Sequence, residues 1–157
     1  MSLHRISLPV AIVALIVSIA TSCIGIIPSC SRTEVIECSD SYKVYKISEF
    51  TKLLACGVEV YVAMDGHNGI LRLEADPEII DHIKIENKRG TLAINDRDNY
   101  AAKKEKAKAR VIVSANDLDM VSAMAGATVV FDKPITAEAF INNGMITIDS
   151  AAVASMR

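Results

Sequence analysis

The residue types that most often carry chemistry are few and scattered in this 157-residue chain. Its histidines are His4, His67 and His82, and no His/Cys spacing matches a zinc site, which needs four converging nitrogen or sulfur ligands. Asp96 and Asp98, beside Asn99, stand two residues apart, as the first ligands of a calcium loop do. Such a loop also needs a glycine at its sixth position and a glutamate at its twelfth, and here those places hold Ala101 and Ala107. The segment reads as a solvated turn. There is no Gly-x-Ser-x-Gly elbow and no phosphate-binding glycine loop. No pair of carboxylates stands out as general acid and base. The chain therefore reads as a non-enzyme with no cofactor and no metal site.

One charge cluster remains. Lys103, Lys104, Lys106, Lys108 and Arg110 place five positive charges in eight residues, interrupted by Glu105. Such a run can touch anionic lipid head groups, lipopolysaccharide or acidic glycans. It can equally be a solvated loop leading into the apolar run at Val111, the commoner fate of a charged stretch. The whole chain has a net charge of −2, so nucleic acid is not an expected partner.

The elements that must position these residues begin after an apolar leader. His4 and Arg5 precede an apolar stretch from Ile6 to Ala20, followed by Thr21, Ser22 and Cys23. A positive start, an apolar stretch of about 7–15 residues and small residues at its end make a secretory signal. A cysteine directly after the small residues resembles the lipobox of bacterial lipoproteins, whose thiol receives the lipid. Cys23 is read as the lipidated residue because its apolar stretch has ordinary signal length. Cys30, after Pro28 and Ser29, is the alternative. Ile6 to Ile27 also reaches the roughly 20 apolar residues that span a bilayer, so an uncleaved anchor is a third reading. Each version exports the remainder and ties the protein to a membrane through its N-terminus. Residues 1–30 are thus the signal and anchor segment, and 31–157 a single β-rich domain. Cys38 and Cys56 could pair as a disulfide or serve as small apolar side chains; spacing alone leaves both open.

Beyond Glu34 the apolar period becomes two. Runs at 42–47, 58–62, 70–75, 83–87, 92–95 and 111–113 alternate apolar with polar residues and are punctuated by Gly, Asn and Asp. That is the pattern of strands and turns. One stretch, Asp76 to Ile83, predicts a short helix: Asp76 at the cap, Pro77 at the first turn, and Ile79, Ile80 and Ile83 on one face. Further on, Gly126 and Gly144 lie 18 residues apart, each followed by a β-branched run ending near Asp132 or Asp149. A repeat of about 20 residues suits the coils of a solenoid, in which each rung buries its apolar face on the next. A plain antiparallel β-sandwich is the alternative. Residues 151–157 are apolar without an obvious cap, an edge liability unless another element covers them.

The segments Gly57–Val62, Leu71–Ile80, Ile83–Ile94 and Leu118–Ala127 resemble, in their order, the auto-transporter adhesin head GIN domain family. The likeness covers roughly residues 40–150 and no single motif is diagnostic. It implies a mainly β fold, wound as a right-handed parallel β-helix-like solenoid with one short helix. It also implies an exported protein at the outer membrane, cell surface or periplasm. The function it implies is that of a binding or adhesion module with a glycan or protein partner and no catalytic residues. A structural role, pairing with a partner through an exposed β edge, is the alternative. A polysaccharide-acting hydrolase with dispersed carboxylates ranks last, because the aromatic platforms that grip sugars are scarce. Relatives usually carry further Gly/Ser-rich rungs, and about two are countable here.

Overall fold

Alternation decides which way each strand faces. In Glu59–Ala63, Val60 and Val62 are fully buried while Glu59 and Tyr61 stay half-buried on the other face. Leu71 and Leu73, Leu92 and Ile94, and Val111 and Val113 repeat the pattern. A side chain on one side of a pleat cannot cross to the other without slipping the register, so these pairs commit each strand to one orientation.

The computed structural model describes residues 33–96 and 109–157, within the compact unit Ser31–Arg157. Its strands are β1 (Glu34–Cys38), β2 (Tyr42–Lys46), β3 (Lys52–Cys56), β4 (Glu59–Ala63), β5 (Ile70–Glu74) and β6 (Ile83–Lys88). β7 (Thr91–Asp96), β8 (Arg110–Ser114), β9 (Met120–Met124), β10 (Thr128–Phe131), β11 (Glu138–Asn142) and β12 (Met145–Ile148) follow, and then helix α1 (Ser150–Ser155). They form two sheets, ordered β1-β2-β5-β8-β4-β10-β12 and β11-β9-β3-β7-β6. Neither closes into a barrel. The inward rows of both sheets share one core, in which Phe50, Phe131, Leu53, Leu71, Leu73 and Ile79 are the largest fully buried side chains.

Both sheets are mixed. β1–β2, β2–β5, β5–β8 and β6–β7 pair antiparallel. The others pair parallel: β3 lies between β7 and β9, β4 between β8 and β10, and β11 and β12 extend the two rows. The facing sheets are sandwich-like, but the ladders are not those of an all-antiparallel sandwich.

Tight turns carry the chain from one sheet to the other: Gly57-Val58 between β3 and β4, Ala125-Gly126-Ala127 between β9 and β10, and Asn143-Gly144 between β11 and β12. Each turn opens on a left-handed residue, with φ of 70° at Gly57, 51° at Ala125 and 57° at Asn143. Glycine and asparagine reach that region at little steric cost. The spacing of Gly126 and Gly144 is therefore that of stacked turns. The two aspartates after the runs also match, since Phe131 pairs in register with Ile148 and puts Asp132 beside Asp149 in the stack.

Two local expectations need correction. The segment Asp76–Ile83 is not a two-turn helix. The Asp76 carbonyl accepts from the Ile79 and Ile80 amides at 2.9 and 3.0 Å, and a single 3-10 turn, Ile80–His82, follows. Ile83 already opens β6, paired with Asp96, and two turns are too short to hold a helix against that ladder. The short α-helix lies instead at the chain's end, in the stretch read as an uncapped apolar tail. The Asp149 carboxylate caps it, accepting from the Ala152 amide at 3.0 Å. Its Val153 buries against Ala63 and Val130 on the outer face of the first sheet.

Candidate functional site

Because β4, β8 and β10 run parallel, their C-terminal ends reach the same side of the sheet, and the loops that leave them converge. The β2–β3 loop joins them there. Together the four loops border an open, shallow cleft of about 770 Å³. Glu49, Asp65 and Asp117 contribute carboxylates, Asn116 an amide and Lys133 an ammonium group.

The walls are tied by side chains rather than left as independent loops. The Asn116 side-chain oxygen accepts from the His67 amide at 3.1 Å, and its nitrogen donates to Glu49 Oε1. Asn116 thus links the β8–β9 loop to both the β2–β3 and β4–β5 loops. The Asp132 carboxylate accepts from the Met64 amide at 2.8 Å, and Lys133 donates to the Met64 carbonyl at 3.2 Å. Beneath them, the Asp119 amide donates to the Thr51 carbonyl at 2.7 Å. Arg157 Nη2 meets Asp65 Oδ2 at 2.5 Å and balances one carboxylate from the outside. Such a cleft offers carboxylate acceptors to hydroxyl or ammonium donors, held on a rigid scaffold.

The residues singled out in the sequence are not the ones that line it. Cys23, Cys30, Lys103, Lys104, Lys106 and Lys108 lie outside the described residues, as do Arg97, Asp98 and Asn99 of the acidic turn. Arg110 opens β8 away from the cleft. It pairs in register with Glu59, whose Oε2 lies 3.4 Å from its Nε, so its charge is locally balanced. His67 sits against Phe50, edge to face, with ring centroids 6.0 Å apart. Cys38 and Cys56 are both free thiols, on strands of different sheets. Among the described residues no group of three or more His, Cys, Asp or Glu side chains could hold a metal ion, and no helix is long and apolar enough to cross a membrane. The sequence did carry one signal for the cleft. Asp65, Asp117 and Lys133 each follow a β-branched strand by two or three residues, at matching points of the parallel row.

The fold has solved counterparts. A "putative adhesin" from Parabacteroides merdae superposes with a TM-score of 0.52 at 13% identity, covering 71% of this chain and 53% of that one. A "putative adhesin" from Bacteroides fragilis superposes with a TM-score of 0.52 at 20% identity, covering 76% of this chain and 54% of that one. At these identities the likeness is one of fold, and the chain spans about half the length of these structures. No curated protein matches the chain. Residues 49–153 match the family described as "Putative auto-transporter adhesin, head GIN domain", the family the order of the strand segments resembles, and the chain belongs to it.

Proposed function

We propose that this chain is an exported, envelope-anchored binding module of adhesin type, without catalytic function, whose loop cleft takes a hydroxyl-rich or amine-bearing glycan. The observation that carries the reading is the cleft itself, where three carboxylates and an amide converge on one side of a rigid double sheet. Membership of the adhesin family supports the cell-surface assignment. The leader at residues 1–30, with lipid on Cys23 or else Cys30, is the proposed anchor. The basic run from Lys103 to Arg110 is a proposed contact with the anionic membrane surface. We read the stacked pairs β3/β4, β9/β10 and β11/β12 as coils of a parallel β-helix-like solenoid, joined by their matching left-handed turns.

The test is binding of a panel of neutral, acidic and amino-sugar oligosaccharides to the full chain in detergent micelles. Asp117→Ala and Asn116→Ala should weaken the bound members at least about tenfold, or 1.4 kcal/mol. Binding unchanged in both variants, or absent across the panel, overturns the cleft as the binding site.

A second reading, assembly in the envelope through an exposed β edge, is favoured by a different observation. Ile141 and Ile148, on the outermost strands of the two sheets, are each more than half exposed. Edge strands that present unpaired backbone groups accept further strands.

A further inference from the structure

In the second sheet, side chains that do not face the core point outward on the opposite side of the pleat. Glu86, Ala93, Leu54, Ser122 and Phe140 stand in register as one outward row across β6, β7, β3, β9 and β11. Their chain neighbours Leu92, Leu53 and Val121 are fully buried on the inner side. Met120 and Met124 lie two residues either side of Ser122 and share its face. A sheet face that meets only water is expected to be polar. Here β3 and β9 place Leu54, Met120 and Met124 on it, half-buried and outside both core clusters, and β11 adds Phe140, 48% exposed. Helix α1 packs on the outer face of the first sheet and leaves this one open.

The β6 side of the same face is basic. Lys84 and Lys88 share one acidic partner, Glu86, at 2.8 and 3.4 Å. Lys88 stands in register with Thr91, and Thr91 with Lys52, so two lysines flank one threonine. Exposed Arg89 adds a charge at the β6–β7 turn. The chain enters the domain at this corner, where the Thr33 hydroxyl accepts from the Asn87 amide of β6 at 3.1 Å. Even fully stretched, the chain keeps Cys30 within about 11 Å of Thr33, and Ile27, where the apolar leader ends, within about 22 Å.

We propose that the outer face of the second sheet lies on the anionic membrane that holds the anchor. Leu54, Met120, Met124 and Phe140 face the acyl boundary, and Lys52, Lys84, Lys88 and Arg89 meet head-group phosphates. This rests on the anchored reading above and names the surface on which the domain lies. Apolar side chains beside lysines match a surface that is apolar beneath and negative at its boundary. The short tether holds that surface within reach of the basic corner. β7, which leads into the basic run proposed above as a membrane contact, belongs to the same sheet. Strands added beyond β11 would widen this face without covering it. The loops that border the cleft lie at one end of the sheets rather than on this face.

Paramagnetic relaxation tests this, with the full chain anchored in lipid nanodiscs and a nitroxide carried on the lipid head groups. In discs containing phosphatidylglycerol, the methyl resonances of Leu54, Met120 and Met124 should broaden. Those of Ile70 and Ile112, which point outward from the first sheet, should not. Lys52→Gln should weaken the docked state about fivefold, the effect of one lysine at an anionic surface, and discs of phosphatidylcholine alone should weaken it further. Lys52 is exposed, and an unchanged far-ultraviolet circular dichroism spectrum checks that the variant folds. Equal broadening on both faces, or broadening confined to Ile70 and Ile112, overturns the contact. So does a contrast indifferent to both phosphatidylglycerol and Lys52→Gln. A contrast seen only in discs that carry two chains assigns the face to a second copy and overturns it too. A chain that elutes apart from the discs refutes the anchor and the proposal with it; one that stays in them without a face preference refutes the face alone.

Discussion

Gly144 passes so close to the backbone of Ala123 that no side chain fits between them. A Cβ at Gly144 would lie 2.6 Å from the Ala123 carbonyl oxygen and 2.7 Å from its carbon. The corresponding turn positions are Val58, before Glu59, and Ala127, before Thr128, and both carry buried side chains. The last turn is therefore drawn in more tightly than the two stacked on it. Gly144→Ala must push β11 and β12 away from β9, and strain of that kind costs about 1–3 kcal/mol. A thermal melt should show a midpoint lower by several degrees, at about 2–4 °C per kcal/mol for a domain of this size. An unchanged midpoint would mean that the turn yields freely.

The carboxylates at matching points of the stack have different work. Asp132 ties the β10–β11 loop to the Met64 amide, whereas Asp149 caps α1. Asp149→Ala should cost about 1 kcal/mol, the usual effect of losing a cap. The loss should be local. Hydrogen exchange should quicken over Ala151–Ser155 and leave β4 and β8 protected.

Asn87 is buried on β6, where its side-chain nitrogen donates to the Ser48 carbonyl at 2.6 Å. Its backbone amide donates to Thr33 Oγ1 at 3.1 Å. The side-chain bond pins the β2–β3 segment, which supplies Glu49 and Thr51 to the cleft. Asn87→Ala strands the Ser48 acceptor and should cost about 1–3 kcal/mol in urea denaturation. Asn87→Asp should cost at least as much, since a carboxylate has no donor for that carbonyl. An aspartate variant as stable as wild type would show that the donated bond contributes nothing.

Strand positions were legible in the sequence because alternation is local: Val60/Val62, Leu92/Ile94 and Val111/Val113 announce their faces with no knowledge of their partners. The spacing of Gly126 and Gly144 marked two matching turns, but spacing alone did not separate coils of a solenoid from similar hairpins of a sandwich. The order of strands was not legible. β3 lies between β7 and β9, strands far from it in sequence, and no period along the chain encodes that insertion. The helix was misplaced for a related reason. Asp76 and Pro77 make a good helix start, but Ile83 is claimed by its ladder with β7, while Asp149 caps a tail with no apolar period to advertise it. The cleft was least visible, because Glu49, Asp65, Asp117 and Lys133 come from four separate loops.

Lys43 and Asp81 join β2 to the 3-10 turn, with Nζ 2.5 Å from Oδ1, and give stability a predictable pH dependence. The hydrogen bond from Lys43 holds the Asp81 carboxyl below the usual carboxylate range, and the same bond raises the Lys43 ammonium above its usual value. A lowered carboxyl stabilises the fold above its unfolded value, about 4, and that contribution fades as pH falls through the lowered folded value. A raised ammonium stabilises below its unfolded value, about 10.4, and is lost as pH rises through the raised one. The pair therefore contributes across the neutral range and fails at both ends. Asp81 is 79% exposed, so the effect is modest and screened by salt. Asp81→Asn should flatten the acid limb of a plot of urea midpoint against pH, without abolishing it. Glu86, lowered first by Lys84 and then by Lys88, still titrates there. An acid limb of unchanged slope in Asp81→Asn would show that the bond to Lys43 does not persist in solution.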